Sequence, residues 1–338
     1  MSGSTTSLPE VFSYIAEAIQ SGTKSNPHRS EVEPASYAWF DSYGIDTGET
    51  RQELTSSNFG LLVALGFPDT NASRYRTILD LSLWWICFQG MAAGGGLNNP
   101  EEMKGSMDAI LRAVNDPNAP SSNLPLAAMV QSCFQRMVQD ASPLVIQRFV
   151  AGLDDYLQAC YQQKFNRPSI PTLDECIELR RGTLGTDFWA ATFQYADGLD
   201  LPDQVVNHQT LSEFSNAAAD LSNMLEDIYS SIRPGGGQGT YSINIVSAVM
   251  HHNRLDCNDA IKLLDPLIRR RMEEYQDLKA KLPSFGPGLD DQVAKYVQSA
   301  DRNIVAMVEW ASSSTGKSPR YTILILAVLM IVAVYFGS

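Results

Sequence analysis

Apolar residues recur every three or four positions along most of this chain, a period that suits helices and leaves little room for a sheet. Leu126, Met129, Val130, Cys133, Phe134 and Met137 fall at i, i+3, i+4, i+7, i+8 and i+11, on one helical face. Val145, Phe149, Leu153, Tyr156, Leu157 and Cys160 make a second face. Pro143 opens it, at a position where the missing N–H costs nothing. Thr172 with Glu175, and Thr210 with Glu213, have the spacing of capping boxes. The second precedes the stripe Leu211, Phe214, Leu221, Leu225, Ile228 and Ile232, which Pro234 and Gly235-Gly236-Gly237 should stop. Alternating patterns are scarce. YSINIVSAV (241–249) reads equally well as strand or helix, and DPNAPSSNLP (116–125) as a loop between helices. No repeat of fixed period occurs, so the expectation is an all-α domain rather than a solenoid.

The 338 residues, 44% hydrophobic and 19% charged, suffice for a large core. A net charge of −13 argues against a nucleic-acid partner, because phosphate contacts need clustered Lys and Arg. Five cysteines, Cys87, Cys133, Cys160, Cys176 and Cys257, are scattered and never spaced C-x-x-C, which suits buried free thiols. MSGSTTSLPEVFSYI carries neither the basic nor the apolar part of a signal peptide.

The other end differs. Residues 322–338, TILILAVLMIVAVYFGS, carry no charged side chain and follow Lys317 and Arg320. A bilayer core takes about 20 apolar residues. The run from Tyr321 to Phe336 has 16. The expected organisation is an α domain over 1–321 and a hydrophobic tail helix over 322–338. That tail is a candidate anchor holding the protein on the cytoplasmic face of a membrane; a tail buried in the fold would leave the protein cytoplasmic.

Few residues read as chemistry on their own. Asp154-Asp155 and Asp290-Asp291 are neighbours in sequence and point to different sides of a helix. His251-His252 lacks partners at metal-ligand spacing. There is no G-x-S-x-G, P-loop or G-x-G-x-x-G, and the glycine triplets at 94–96 and 235–237 have no basic partner. Arg180-Arg181 closes a short capped helix, where cations favour the dipole. The same pair could also fork a phosphate or diphosphate. Glu226 and Ser230, at i and i+4 on LEDIYSSIRP, offer oxygen ligands of the kind Mg²⁺ prefers; Pro234, at i+8, offers none.

The order of these stretches resembles the fungal sesquiterpene synthases, which are class I terpene cyclases. SNPHRSEVEPASYAWF (25–40) is similar to their N-P-H…W stretch, and SNFGLLVALGFP (57–68) to their F-G-L-L segment. ELRRGTLG (178–185) is similar to the diphosphate-sensing R-R-x-T-x-G element, with Arg180 46 residues before Glu226. LEDIYSSIR (225–233) resembles the N-D-x-x-S-x-x-K/R-E helix and NIVSAVMHH (244–252) the segment after it. Arg320-Tyr321 looks like the R-Y pair that grips diphosphate. The resemblance covers about residues 25 to 321. It implies a class I helical bundle around a central cavity, Mg²⁺ as cofactor, and farnesyl diphosphate or a similar isoprenoid as ligand. Arg180, Arg181, Arg320 and Tyr321 would hold the diphosphate, and Glu226 and Ser230 the metal. Trp84, Trp85, Phe88, Phe188 and Trp189 are candidates either for the cavity wall or for plain core.

The sequence departs from the family where the chemistry is. The aspartate-rich D-[DE]-x-x-[DE] motif falls on Gln89, Gly90, Met91, Ala92 and Ala93, with no carboxylate. In the second motif the Asn is Glu226 and the final Glu is Pro234. Family catalysis ionises an allylic diphosphate with metal ions that neutralise the leaving group. Arg180, Arg181, Arg233 and Arg320 could bind the anion without replacing that metal. The expectation is a sesquiterpene synthase-like protein that is catalytically inactive or impaired. The alternatives are an unorthodox active cyclase and a membrane-tethered isoprenoid- or partner-binding module.

Overall fold

A computed structural model describes residues 8–45, 49–94, 96–166, 169–232 and 244–314. Among them run fifteen helices and no strand: α1 (Glu10–Ile19), α2 (Arg29–Asp41), α3 (Glu49–Ser56), α4 (Phe59–Gly66), α5 (Ala72–Gly94), α6 (Pro100–Asn115), α7 (Pro125–Met137), α8 (Pro143–Phe165), α9 (Leu173–Leu184), α10 (Thr186–Asp197), α11 (Asp203–Val206), α12 (Gln209–Ile232), α13 (Ile245–Asn253), α14 (Cys257–Ala280) and α15 (Pro287–Ser314). Arg233, Pro234, Arg320, Tyr321 and the tail 322–338 lie outside the described residues. Among the described residues no helix is long and apolar enough to cross a membrane.

The boundaries follow the chemistry of the caps. Ser142 accepts the N–H of Val145 at 3.3 Å, just before Pro143. Thr172 and Glu175 form a reciprocal box on α9. The box expected at Thr210 is displaced. α12 already begins at Gln209; Thr210 N–H donates to His208 Nδ1 at 3.3 Å, and Glu213 accepts from Gln209 Nε2 at 2.9 Å. The ambiguous 241–249 stretch is helical from Ile245, capped by Asn244. Beyond Phe88, α5 runs on through its small residues to Gly94.

Two apolar cores share the interior. The first joins α2, α4 to α8 and α10, and the second joins α1 with α12 to α15. Leu62 and Phe193 pack against both, so the halves form one body. Both predicted stripes are buried: Phe134 and Phe149 stack with centroids 5.6 Å apart. None of the five cysteines is in a disulfide, and four of them are buried. Asp80, the one acid of α5, is fully buried and ion-paired with Arg76 and Arg136 at 2.9 and 2.8 Å.

Glycines set two close approaches. Gly185 has φ +76 and separates α9 from α10, so the chain breaks direction just after the arginines. At Gly152 a Cβ would sit 2.6 Å from the Phe188 nitrogen and 2.8 Å from the Asp187 carbonyl carbon, so α8 and α10 touch backbone to side-chain-free surface. Gly152→Ala is therefore expected to lose about 1–3 kcal/mol of stability by overpacking. Thermal unfolding measures it, and an unchanged midpoint would contradict the contact.

Candidate functional site

The helix end that resembles the aspartate-rich motif is held by neutral and basic groups. Gln89 Nε2 donates to the Thr183 carbonyl at 2.7 Å, tying α5 to α9 one turn from Arg180. Lys164, at the end of α8, donates to the Ala92 carbonyl at 2.6 Å. A cation at a helix C-terminus is favourable, which accounts for a helix that survives a glycine-rich sequence. Burial pulls the Lys164 ammonium down from its usual value, with Glu102 opposing. Lys164 is the group that sequence reasoning missed. No signal in YQQKFN marks it, because its partner is a backbone carbonyl 72 residues away.

Across from it, α9 and α12 are joined by charge. The Arg180 side chain is 8% exposed, and its Nη2 donates to Glu226 Oε2 and to Asp227 Oδ1, both at 2.5 Å. Asp227 is 1% exposed and also accepts the Ile245 N–H at 2.9 Å, the first residue of α13. A carboxylate there meets the positive end of the α13 dipole. Burial nonetheless pushes Asp227 up to about 7, against the pull of Arg180. Ser230 and Ser231 donate to the Asp227 carbonyl at 3.0 and 2.7 Å, and Asn244 Nδ2 reaches Ser231 Oγ at 3.2 Å. Asp227 thus ties three helices together; sequence gave it no role because its partners lie on α9 and α13.

The two arginines diverge. Arg181 forks onto Asp220 at 2.7 and 2.8 Å and reaches Glu178 at 2.9 Å, while Arg271 of α14 shares Asp220 at 2.7 Å. Consecutive residues on a helix face about 100° apart, so Arg180 and Arg181 do not meet at one ligand. Of the aromatic candidates, Trp84, Phe88 and Phe188 are fully buried core. Trp85 and Trp189 are half-buried and meet edge to face at 5.8 Å. Trp85 Nε1 is buried without a partner.

This helical frame, with Arg180 of α9 facing α12, is the setting in which the similarity to known proteins falls. Residues 91–274 match the family described as terpene synthase family 2, C-terminal metal binding. The chain belongs to this family. It is 28% identical over 322 residues to sesquiterpene synthase Agr1 of Cyclocybe aegerita, covering 93% of this chain and 89% of that one. It is 28% identical over 318 residues to silphinene synthase peniA of Penicillium patulum, covering 90% and 83%. Two solved structures share the fold: germacradien-4-ol synthase from Streptomyces citricolor, with TM-score 0.74 at 17% identity over 86% of this chain and 96% of that one, and wild-type cucumene synthase, with TM-score 0.73 at 17% identity over 87% and 98%. The class I bundle that the sequence implied is thus the fold of this terpene synthase relative.

The family's metal does not fit the residues present. Mg²⁺ takes carboxylate and other hard oxygen ligands. The terpene synthase helix α5 offers Gln89, whose amide is committed to Thr183, and then Gly90, Met91, Ala92 and Ala93. An ammonium, Lys164, is bonded to the same turn. On α12 the Glu226 carboxylate lies on Arg180, and the Ser230 hydroxyl donates to the Asp227 carbonyl. Among the described residues no group of three or more His, Cys, Asp or Glu could hold a metal ion.

Proposed function

We propose that this protein is a sesquiterpene synthase-like member of its family in which metal-assisted ionisation of an allylic diphosphate is lost or severely impaired. The single observation behind this reading is the makeup of the two helix segments, on α5 and α12, that resemble the family's metal motifs. α5 presents an amide, small residues and a lysine contact where the reaction needs carboxylates, and Glu226 of α12 is spent on Arg180. Ionisation separates charge, and only groups that stabilise the departing anion in the transition state speed it. Guanidinium groups can hold a diphosphate, but they do not supply the Lewis acidity that weakens its ester bond. The sesquiterpene names of the relatives point to farnesyl diphosphate or a similar isoprenoid as the ligand class.

A second reading is favoured by the position of Glu226, whose side chain is 42% exposed and reachable by a metal ion. In it, an unorthodox active cyclase would place Mg²⁺ on Glu226 and Ser230 and hold diphosphate with Arg180 or Arg181 and the Arg320-Tyr321 pair. Incubation with farnesyl or geranylgeranyl diphosphate and Mg²⁺, followed by gas chromatography, separates the two. The expected result is no cyclised hydrocarbon or alcohol above a protein-free control. Turnover at enzymatic rates overturns the first reading, and its loss in Glu226→Ala would establish the second.

A further inference from the structure

Asp227 alone is enough to pair Arg180. It is buried, anchored by the Ile245 N–H, and sits 2.5 Å from the guanidinium. Glu226 adds a second carboxylate to the same Nη2 from a half-exposed position, and among the described residues that is where its hydrogen bond goes. Two carboxyl groups therefore share one guanidinium nitrogen. The Arg180 side chain is more than nine-tenths buried, yet its Nε has no partner. The group is therefore crowded with negative charge on one edge and short of an acceptor on another.

We propose that Glu226 is a specificity-determining residue: its carboxylate occupies the edge of Arg180 that an anionic headgroup would take, so the site is set against diphosphates. The inference deepens the reading of an impaired synthase, and rests on it for the place of the site. It adds that the anion site is filled from within, by a side chain standing where the family motif has a neutral asparagine. An incoming diphosphate has to displace a bonded carboxylate and then sit beside it. Like charges at close range are costly, and a hydrogen bond to a charged group is among the stronger polar contacts.

The test is calorimetric titration of the full-length protein with inorganic pyrophosphate, with and without Mg²⁺. It compares wild type, Glu226→Gln, Glu226→Ala and the double variant Arg180→Gln/Glu226→Gln. Glu226→Gln and Glu226→Ala are each expected to bind at least about 10-fold tighter than wild type, and the double variant to return to the wild-type level. Circular dichroism confirms folding. Equal binding by wild type and both single variants overturns the proposal, as does a gain that persists without Arg180. Product analysis of the wild type reports separately on catalysis. Turnover there would sink the impaired-synthase reading and leave the pyrophosphate comparison to decide the role of Glu226 on its own.

Discussion

Arg180→Met loses about 3–5 kcal/mol of folding stability at pH 8, because it leaves a buried carboxylate unpaired. The side chain removed is one of two arginines that join α9 to α12, and the carboxylate it leaves behind is 1% exposed. Surface pairs of the same chemistry, such as Lys262 with Asp259, cost far less to break, since water replaces the partner. The loss depends on pH, and its sign can be worked out. Burial holds Asp227 at about 7, above its ordinary 3.8. A carboxyl raised in the folded state gives stability that is fully present below its unfolded value and is lost as pH rises through the folded one. Removing Arg180 takes away the cation that favours ionisation, so the variant keeps its proton to higher pH. The deficit is thus largest above pH 7 and shrinks toward about pH 5, where protonation relieves the unpaired charge. Urea unfolding of both proteins at the two pH values measures it. Equal deficits would mean that Asp227 does not carry the penalty.

Phe188→Ala is expected to cost a similar amount, about 3–5 kcal/mol, from lost burial and the cavity left behind. Phe188 is fully buried at the start of α10. Its ring lies 5.0 Å from Phe149, 5.2 Å from Trp189, 6.1 Å from Tyr156 and 6.2 Å from Trp84. The Phe188 backbone is pressed against Gly152, which limits how far α10 can slide inward to close the gap. Phe188→Leu keeps most of the volume and should lose much less. If the alanine variant melts within a few degrees of wild type, this aromatic cluster is not the centre of the first core.

The helices were legible because burial writes its period directly into the chain. The stripes at 126–137 and 145–160 needed only 3.6-residue geometry, and the cap at Thr172 is a contact between residues three apart. Thr210 was misplaced by one residue because its local signal competed with Gln209 and with the turn at His208. The site was legible only in part. The sequence shows the missing carboxylates at 89–93, which is a statement about residue type. It does not show that Gln89 reaches Thr183, that Arg180 and Arg181 part company, or that Lys164 closes α5. Those facts depend on how distant helices cross, and no spacing along one helix encodes a partner on another.

Lys164 also bears on what an acid introduced at residues 89–93 would meet. Its ammonium is bonded to the turn that falls where the family's aspartate-rich motif is expected. An aspartate or glutamate reinstalled there meets a fixed neighbour of opposite sign before it meets any dissolved cation. Such an acid would be paired by the lysine, and replacing the lysine in turn would remove the cation at this helix end.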